Sequence, residues 1–403
     1  MPAPYAFLHP LLAPNRAWAA LDWQVSSLKA LESTDLIECF TNAGTRALAQ
    51  KMPFVLSINS AWLMQDEFIQ KFEANQIIFV LPENSLADTA AIDQCQRWHK
   101  KGYHFALNIS DADTIKDIPL AAFDHLEFEA SFARNELSAQ NLVYTGDAGF
   151  KKMVRSVGSH ELFDWLASKN FEYCGSNFVT LRDHTKEKGA DFTRLKLLKL
   201  LSLVAQDADT REIEKIFREE PKLSYNLLRL VNSVAVGAKT TIGSFHQAIA
   251  ILGRRQLQRW LQLLIYANQL AHTSEPNPLL QLAAARGRQM ELLAAAIEPA
   301  IDIPDFSDTA FMTGIFSLLD VLLNIPMSEI LDALPLQASI RAALDSRQGI
   351  QGHLLSAIIA GESGTVDAAA AAAITLAEIG ISPASHAKAQ IAAFLWANEI
   401  NLD

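Results

Sequence analysis

Three cysteines in 403 residues, Cys39, Cys95 and Cys174, form no Cys-x-x-Cys pair and are odd in number. That count disfavours both a disulfide framework and a zinc knuckle. Basic charge is scarce too: 34 Lys and Arg stand against 45 Asp and Glu, a formal net charge of −11. Divided near residue 188, the halves carry 17 basic against 23 acidic residues and 17 against 22, so no basic tail hides in the sum. A nucleic-acid surface needs phosphate-neutralising cations and is not expected. The start, MPAPYAFLHP, lacks the basic-then-apolar pattern of a secretory signal. The most apolar runs, residues 311–325 and 368–381, are short or interrupted by Asp320 and Glu378, so no membrane span is expected. These absences give the expectation of a soluble, cytoplasmic chain. What the chain does have is apolar mass: 50% hydrophobic residues, enough for a large core and, at this length, for two.

The first half alternates β-rich runs with helical periodicity. Residues 53–59, 77–81, 103–109, 142–145 and 171–174 read as buried strands, and 61–74 and 86–101 as helices between them. Such a rhythm implies a parallel sheet with helical crossovers. About 185 residues is short for a full eight-unit barrel, which takes about 250, so a trimmed or distorted barrel or an open sheet is expected. The polar stretch 184–194 reads as a linker, dividing a domain at 1–183 from one at 195–403. The second is all-helical. Asp209-Thr-Arg-Glu212 has the form of a capping box, and Ser244-Phe-His-Gln247 opens a helix that should end at Gly253. Further helices are expected at 279–297, 308–324, 328–333, 339–345, 352–360, 366–379 and 385–400.

Four motifs of the second half carry a resemblance: PKLSYNLLRLVNS at 221–233, IGSFHQAIAILG at 242–253, RGRQMELL at 286–293 and FMTGIFSLLDVLL at 311–323. Together they resemble the HDOD domain, the metal-free relative of HD hydrolases. In those hydrolases a small residue and two apolar ones precede an adjacent His and Asp that hold a catalytic metal. Here Gly314-Ile315-Phe316 is followed by Ser317-Leu318, and no His lies between residues 279 and 297. The resemblance therefore implies a helical domain without a metal.

The first half resembles the EAL domain, a (β/α) barrel that cleaves cyclic di-GMP with two metal ions. By that resemblance Asn59 matches a metal-binding Asn, and Glu83 is the one Glu kept from a Glu-x-x-Glu whose first slot is Val80. The Glu of the eponymous triplet is absent from Trp18-Ala-Ala-Leu-Asp22, where Asp22 stands as a displaced carboxylate. An Asp-Asp pair becomes Asn108-Ile109, a Lys-x-Asp triplet becomes Glu127-Phe128-Glu129, a late Val-Glu-Thr becomes Val157-Gly158-Ser159, and Gln-Gly becomes Cys174-Gly175. The metal set is not retained, and two-metal phosphodiester cleavage depends on it.

The architecture expected is therefore α/β plus all-α, an EAL-type barrel followed by an HDOD domain. No catalytic, cofactor-binding or metal-ligating residue is assigned, and Asn59 and Glu83 are relics of the ancestral site. The resemblance implies a non-enzymatic adaptor that contacts other signalling proteins in a cyclic di-GMP-related network. A non-hydrolysing cyclic di-GMP receptor is the alternative, opposed by loss of the Lys and of the Gln-Gly ending; a residual phosphodiesterase comes third. Arg254, Arg255 and Arg259 gather at a helix start, where cations oppose the helix dipole. They are candidates for binding a partner's acidic surface or a nucleotide phosphate, against an interdomain salt bridge.

Overall fold

The computed structural model describes residues 4–26, 43–183 and 276–400, with 199, 202, 203, 206, 209–219, 227, 228, 231, 232 and 245–267 between them. Apolar, β-branched and aromatic runs in the first half form eight strands that close into a barrel in the order β1 to β8. They are β1 Tyr5–Leu12, β2 Trp18–Ser26, β3 Phe54–Ser57, β4 Ile77–Pro82, β5 His104–Ile109, β6 His125–Phe128, β7 Lys151–Val154 and β8 Tyr173–Gly175. From β2 to β8 the pairing is parallel, whereas β1 runs antiparallel to both neighbours, β2 and β8. The strand count is thus complete. The chain saves length in some crossovers: that between β3 and β4 is built of short turns, Ser60–Leu63 and Asp66–Ile69 among them, and that between β5 and β6 has only the short helix Ala112–Asp117.

One expected strand is a helix. Residues 142–145 lie in Ala139–Asp147, whose start is capped by Ser138 Oγ accepting from Asn141 N. Val143 is 63% exposed there, so the apolar run was one stripe of an amphipathic turn and not a buried strand. Inside the barrel, Leu11, Ala20, Val55, Ile78, Val80, Ala106 and Met153 form the core, with Tyr173 packed against them. Strand alternation then turns the residues two places further along β2 and β7, Asp22 and Arg155, toward the same interior.

Two compact units divide the chain. The barrel unit comprises Met1–Val179 with Ala360–Ile374 and Ser382–Ile391. The last two stretches fall inside the 195–403 domain expected from sequence, yet they pack on β1. Leu8 N donates to Gln390 Oε1 at 3.1 Å, the His386 ring lies 5.0 Å from that of Phe7, and a Cβ on Gly361 would come within 2.5 Å of Phe7. The reason is that all eight residues of β1 are buried, so the strand needs cover beyond the barrel's own core. The expected linker 184–194 lies outside the described residues.

In the helical unit, Pro278–Ala294 and Phe306–Phe316 cross at two glycines. A Cβ on Gly314 would meet Gly287 Cα at 2.7 Å and Arg286 O at 2.9 Å, so only glycine lets the backbones approach this closely. The apolar stretch expected as one helix over 308–324 is broken at Ser317 and Leu318, after which Leu319–Leu323 resumes. By length and composition Phe306–Leu323 could cross a membrane, but 61% of it is buried within the protein and it carries this break. Asp209 caps Thr210–Glu219 as its sequence implies, accepting from Arg211 N at 2.9 Å.

Candidate functional site

The carboxyl ends of the barrel strands are where parallel α/β barrels build their sites, because the loops there are free to vary over a rigid frame. Here an arginine occupies the centre. Arg155, the residue after β7, turns inward and meets β2, β3 and β6 together. Its Nη1 donates to Asp22 Oδ1 at 3.0 Å, and its Nη2 to Glu127 Oε2 at 3.0 Å and to Ser57 Oγ at 2.7 Å. Nε stands 2.5 Å from Glu127 Oε1, so guanidinium and carboxylate lie side by side. Burial would pull the guanidinium's pKa down, but the charges and hydrogen bonds of Asp22 and Glu127 outweigh it and the pKa is raised. Arg155 stays charged. Gly175 on β8 makes room for it: a Cβ there would lie 2.0 Å from Arg155 O.

Beside this cluster opens a cleft of about 570 Å³, lined in part by Asn108, Glu127, Glu129, Arg134, Arg155 and Gly158. The residues that sequence singled out sit around the same end of the barrel in structural roles. Asn59 caps Ser60–Leu63, its Oδ1 accepting from Trp62 N at 2.8 Å. Glu83 accepts from Thr114 Oγ1 at 2.7 Å with one oxygen, and from Ser110 N at 3.0 Å and Ser110 Oγ with the other. Burial alone would raise its pKa; the hydrogen bonds from Ser110, Thr114 and the Asp111 backbone reverse that and lower it. Glu129 caps Ala130–Asn135, accepting from Phe132 N at 3.3 Å and from Ser131 Oγ.

The two metal ions implied by an EAL resemblance do not fit this donor set. Asp22 and Glu127 already neutralise a guanidinium fixed between them, and a dication at the same carboxylates would face that positive charge at hydrogen-bond range. Glu83 and the Asn59 oxygen are spent on backbone and hydroxyl donors. No step of metal chemistry can be derived from these residues.

A parallel arrangement occurs in the helical unit. Arg286 is 3% exposed, and its Nη1 donates to Ser317 Oγ at 2.7 Å, while that hydroxyl donates to Gly314 O at 2.7 Å. Asp320 lies within electrostatic reach; burial raises its carboxyl pKa, and Arg182 and Arg286 offset part of that. At the position where the resemblance puts metal ligands, a guanidinium meets a serine.

The basic cluster also finds partners within its own unit. The helix Phe245–Ala267 breaks at Gly253 (φ 75°, ψ 162°), so residues 254–259 do follow a helix start. Arg255 pairs with Asp305 and Asp308, both at 2.7 Å. Arg259 reaches Glu291 and Asp308, the latter at 2.8 Å, and lies 5.3 Å over the Phe311 ring. The side chain of Arg254 lies outside the described residues. The carboxylates come from the helical unit itself, where an interdomain bridge had been the expected alternative to a partner. Arg155 escaped the sequence reading altogether; the one hint was a lone Arg closing the run Lys151-Lys-Met-Val, opposite unpaired acids on other strands.

The HDOD domain family matches residues 194–338. Among curated proteins, the chain is 26% identical over 204 residues to the cyclic di-GMP phosphodiesterase CdgJ of Vibrio cholerae, covering 50% of this chain and 46% of that protein. It is 24% identical over 354 residues to the uncharacterized protein YuxH of Bacillus subtilis, covering 83% and 82%. The match thus spans less than half of the Vibrio relative. Among the solved structures that are similar at low identity, two illustrate the match. One is the EAL-like domain protein YdiV, at 10% identity and a TM-score of 0.34, covering 43% of this chain and 89% of that one. The other is the Xanthomonas citri FimX EAL domain in complex with c-diGMP, at 13% and 0.37, covering 44% and 87%.

Proposed function

We propose that the chain is an EAL–HDOD signalling protein, an EAL-type barrel in front of an HDOD domain, and that it acts as a catalytically inactive adaptor in a cyclic di-GMP-related network. The observation that carries this reading is Arg155. A guanidinium bound to Asp22, Glu127 and Ser57 supplies from within the fold the positive charge that metal ions bring to an active barrel. The chain keeps the scaffold and fills its centre with its own cation. Such a barrel can still present its helices and loops to another protein. In this reading the chain works in the cytoplasm through contacts with other signalling proteins.

A second reading is favoured by the open cleft beside Arg155, which is large enough for a small molecule and has Arg134 and Asn108 on its wall. There the chain would bind cyclic di-GMP without cleaving it. Calorimetric titration of the full chain with cyclic di-GMP, with and without magnesium or manganese, separates the two. The adaptor reading expects no saturable heat in either buffer. Saturable, metal-independent binding would replace it with the receptor reading.

A further inference from the structure

At the opposite ends of the strands from the cleft, three histidines converge on one carboxylate. His104 opens β5, His125 opens β6 with Asp124 just ahead of it, and His99 ends the helix Thr89–His99. The backbone fixes their neighbourhood: Ala106 is in register with His125, and Asp124 N donates to Phe105 O at 3.1 Å. His104 Nδ1 stands 2.5 Å from Asp124 Oδ2, His125 Nδ1 stands 2.7 Å from Oδ1, and His99 Nε2 stands 3.5 Å from Oδ2. One ligand atom from each of His104, Asp124 and His125 lies within 4.8 Å of the other two.

We infer that His99, His104, Asp124 and His125 form a binding site for one divalent transition-metal ion of the zinc class, with imidazole nitrogens and a carboxylate oxygen as ligands. Tetrahedral zinc with bonds of about 2.0–2.2 Å holds its ligand atoms roughly 3.3–3.6 Å apart, so small side-chain rotations convert His104, Asp124 and His125 into a coordination set, and His99, outside that group of three but 3.5 Å from the same carboxylate, swings further to complete it. Imidazole-rich donors select zinc, nickel, cobalt or copper and not magnesium or calcium, which take oxygen ligands. His125 is buried, whereas His99 and His104 are 30% and 39% exposed, which leaves an entry path. Lys151 is a like charge whose field, with burial, lowers the His125 pKa, and the same repulsion would act on a dication. The ion would tie the end of one helix to the starts of two strands, on the side of the barrel away from the arginine-filled centre. The proposal is independent of the adaptor reading.

The test uses the full chain, stripped with a chelator and titrated calorimetrically with zinc chloride. One equivalent is expected to bind, with affinity weakened at least about tenfold in both His104→Ala and His99→Ala. Both residues are partly exposed, and circular dichroism checks that each variant is folded; should one misfold, the other decides. Cobalt(II) at one equivalent should give the visible absorption of a tetrahedral site, again lost in the variants. Absence of stoichiometric zinc binding in the unmodified chain would overturn the assignment. So would binding unchanged in the folded variants, which would place the ion on other histidines, or displacement of zinc by equimolar magnesium.

Discussion

Arg155 and Asp22 are 133 positions apart in the sequence, and their side chains meet at 3.0 Å inside the barrel. Their pairing exists because the barrel closes: β7 brings the arginine to the centre, and β2, β3 and β6 bring Asp22, Ser57 and Glu127 to the same level. An ion pair this buried gains from neither partner alone, since removing the cation strands two carboxylates in a low-dielectric interior.

Replacement of Arg155 should therefore be costly in a way that depends on its partners. Arg155→Met is expected to lower stability by about 3–5 kcal/mol, the usual result of breaking a buried pair. Adding Asp22→Asn and Glu127→Gln to that variant should recover most of the loss, because no uncompensated charge remains. Chemical denaturation of the single and triple variants checks this. A triple variant less stable than the single one would mean that Arg155 matters through packing rather than charge.

His386 should make the fold acid-sensitive. It is fully buried near the rings of Tyr5 and Phe7, and burial lowers its pKa to about 4, with a hydrogen bond involving the Ala6 backbone acting the other way. In the unfolded chain the same group titrates near about 6.5. Between those values the unfolded state holds a proton that the folded state does not, so stability is intact above about 6.5 and falls as pH drops toward 4, by about 3 kcal/mol in all. Melting temperatures measured from pH 7 to pH 4 should show this slope, and His386→Leu should flatten it.

Gly314 and Gly287 should resist any side chain. Valine at 314 would drive its Cβ into Gly287 Cα, which cannot move without separating the two helices. Gly314→Val is expected to destabilise by about 1–3 kcal/mol as overpacking. A melting curve matching the unmodified chain would show that the crossing is looser than these contacts imply.

The basic cluster should divide by burial. Arg259, shielded and bound to Glu291 and Asp308, is expected to cost about 1–3 kcal/mol on replacement by Met. Arg255, 65% exposed on its own pairs, should cost about 0–1 kcal/mol on replacement by Ala. Thermal melts of both variants suffice, and equal losses would contradict this division.

Much of the fold was legible because it is written locally. The runs behind β3, β4, β5 and β8 are almost continuously apolar, and the helices from 278 onward declare themselves by period, by Pro278 at a first turn and by alanine content. Where the interior takes a polar residue the signal fails. His125-Leu-Glu-Phe128 and Lys151-Lys-Met-Val154 were not recognised as strands, because Glu127 points inward to Arg155 and the lysines sit at the strand's start. β1 and β2 went unread, and with them the antiparallel entry that closes the barrel. Sequence located Asn59, Glu83 and Asp22 but not their partners. An N-cap or a buried ion pair depends on which atoms arrive opposite, and for Asp22 those atoms come from 133 residues away.

Turnover decides whether Arg155 has taken the place of the catalytic metals in the barrel. The full chain incubated with cyclic di-GMP and manganese, and followed by chromatography, should return the substrate at the rate of the protein-free control, because Asp22 and Glu127 stay bound to Arg155. Linear product formation above that control, abolished in Glu83→Ala, would show that the barrel is an enzyme and that Arg155 does not exclude the metals.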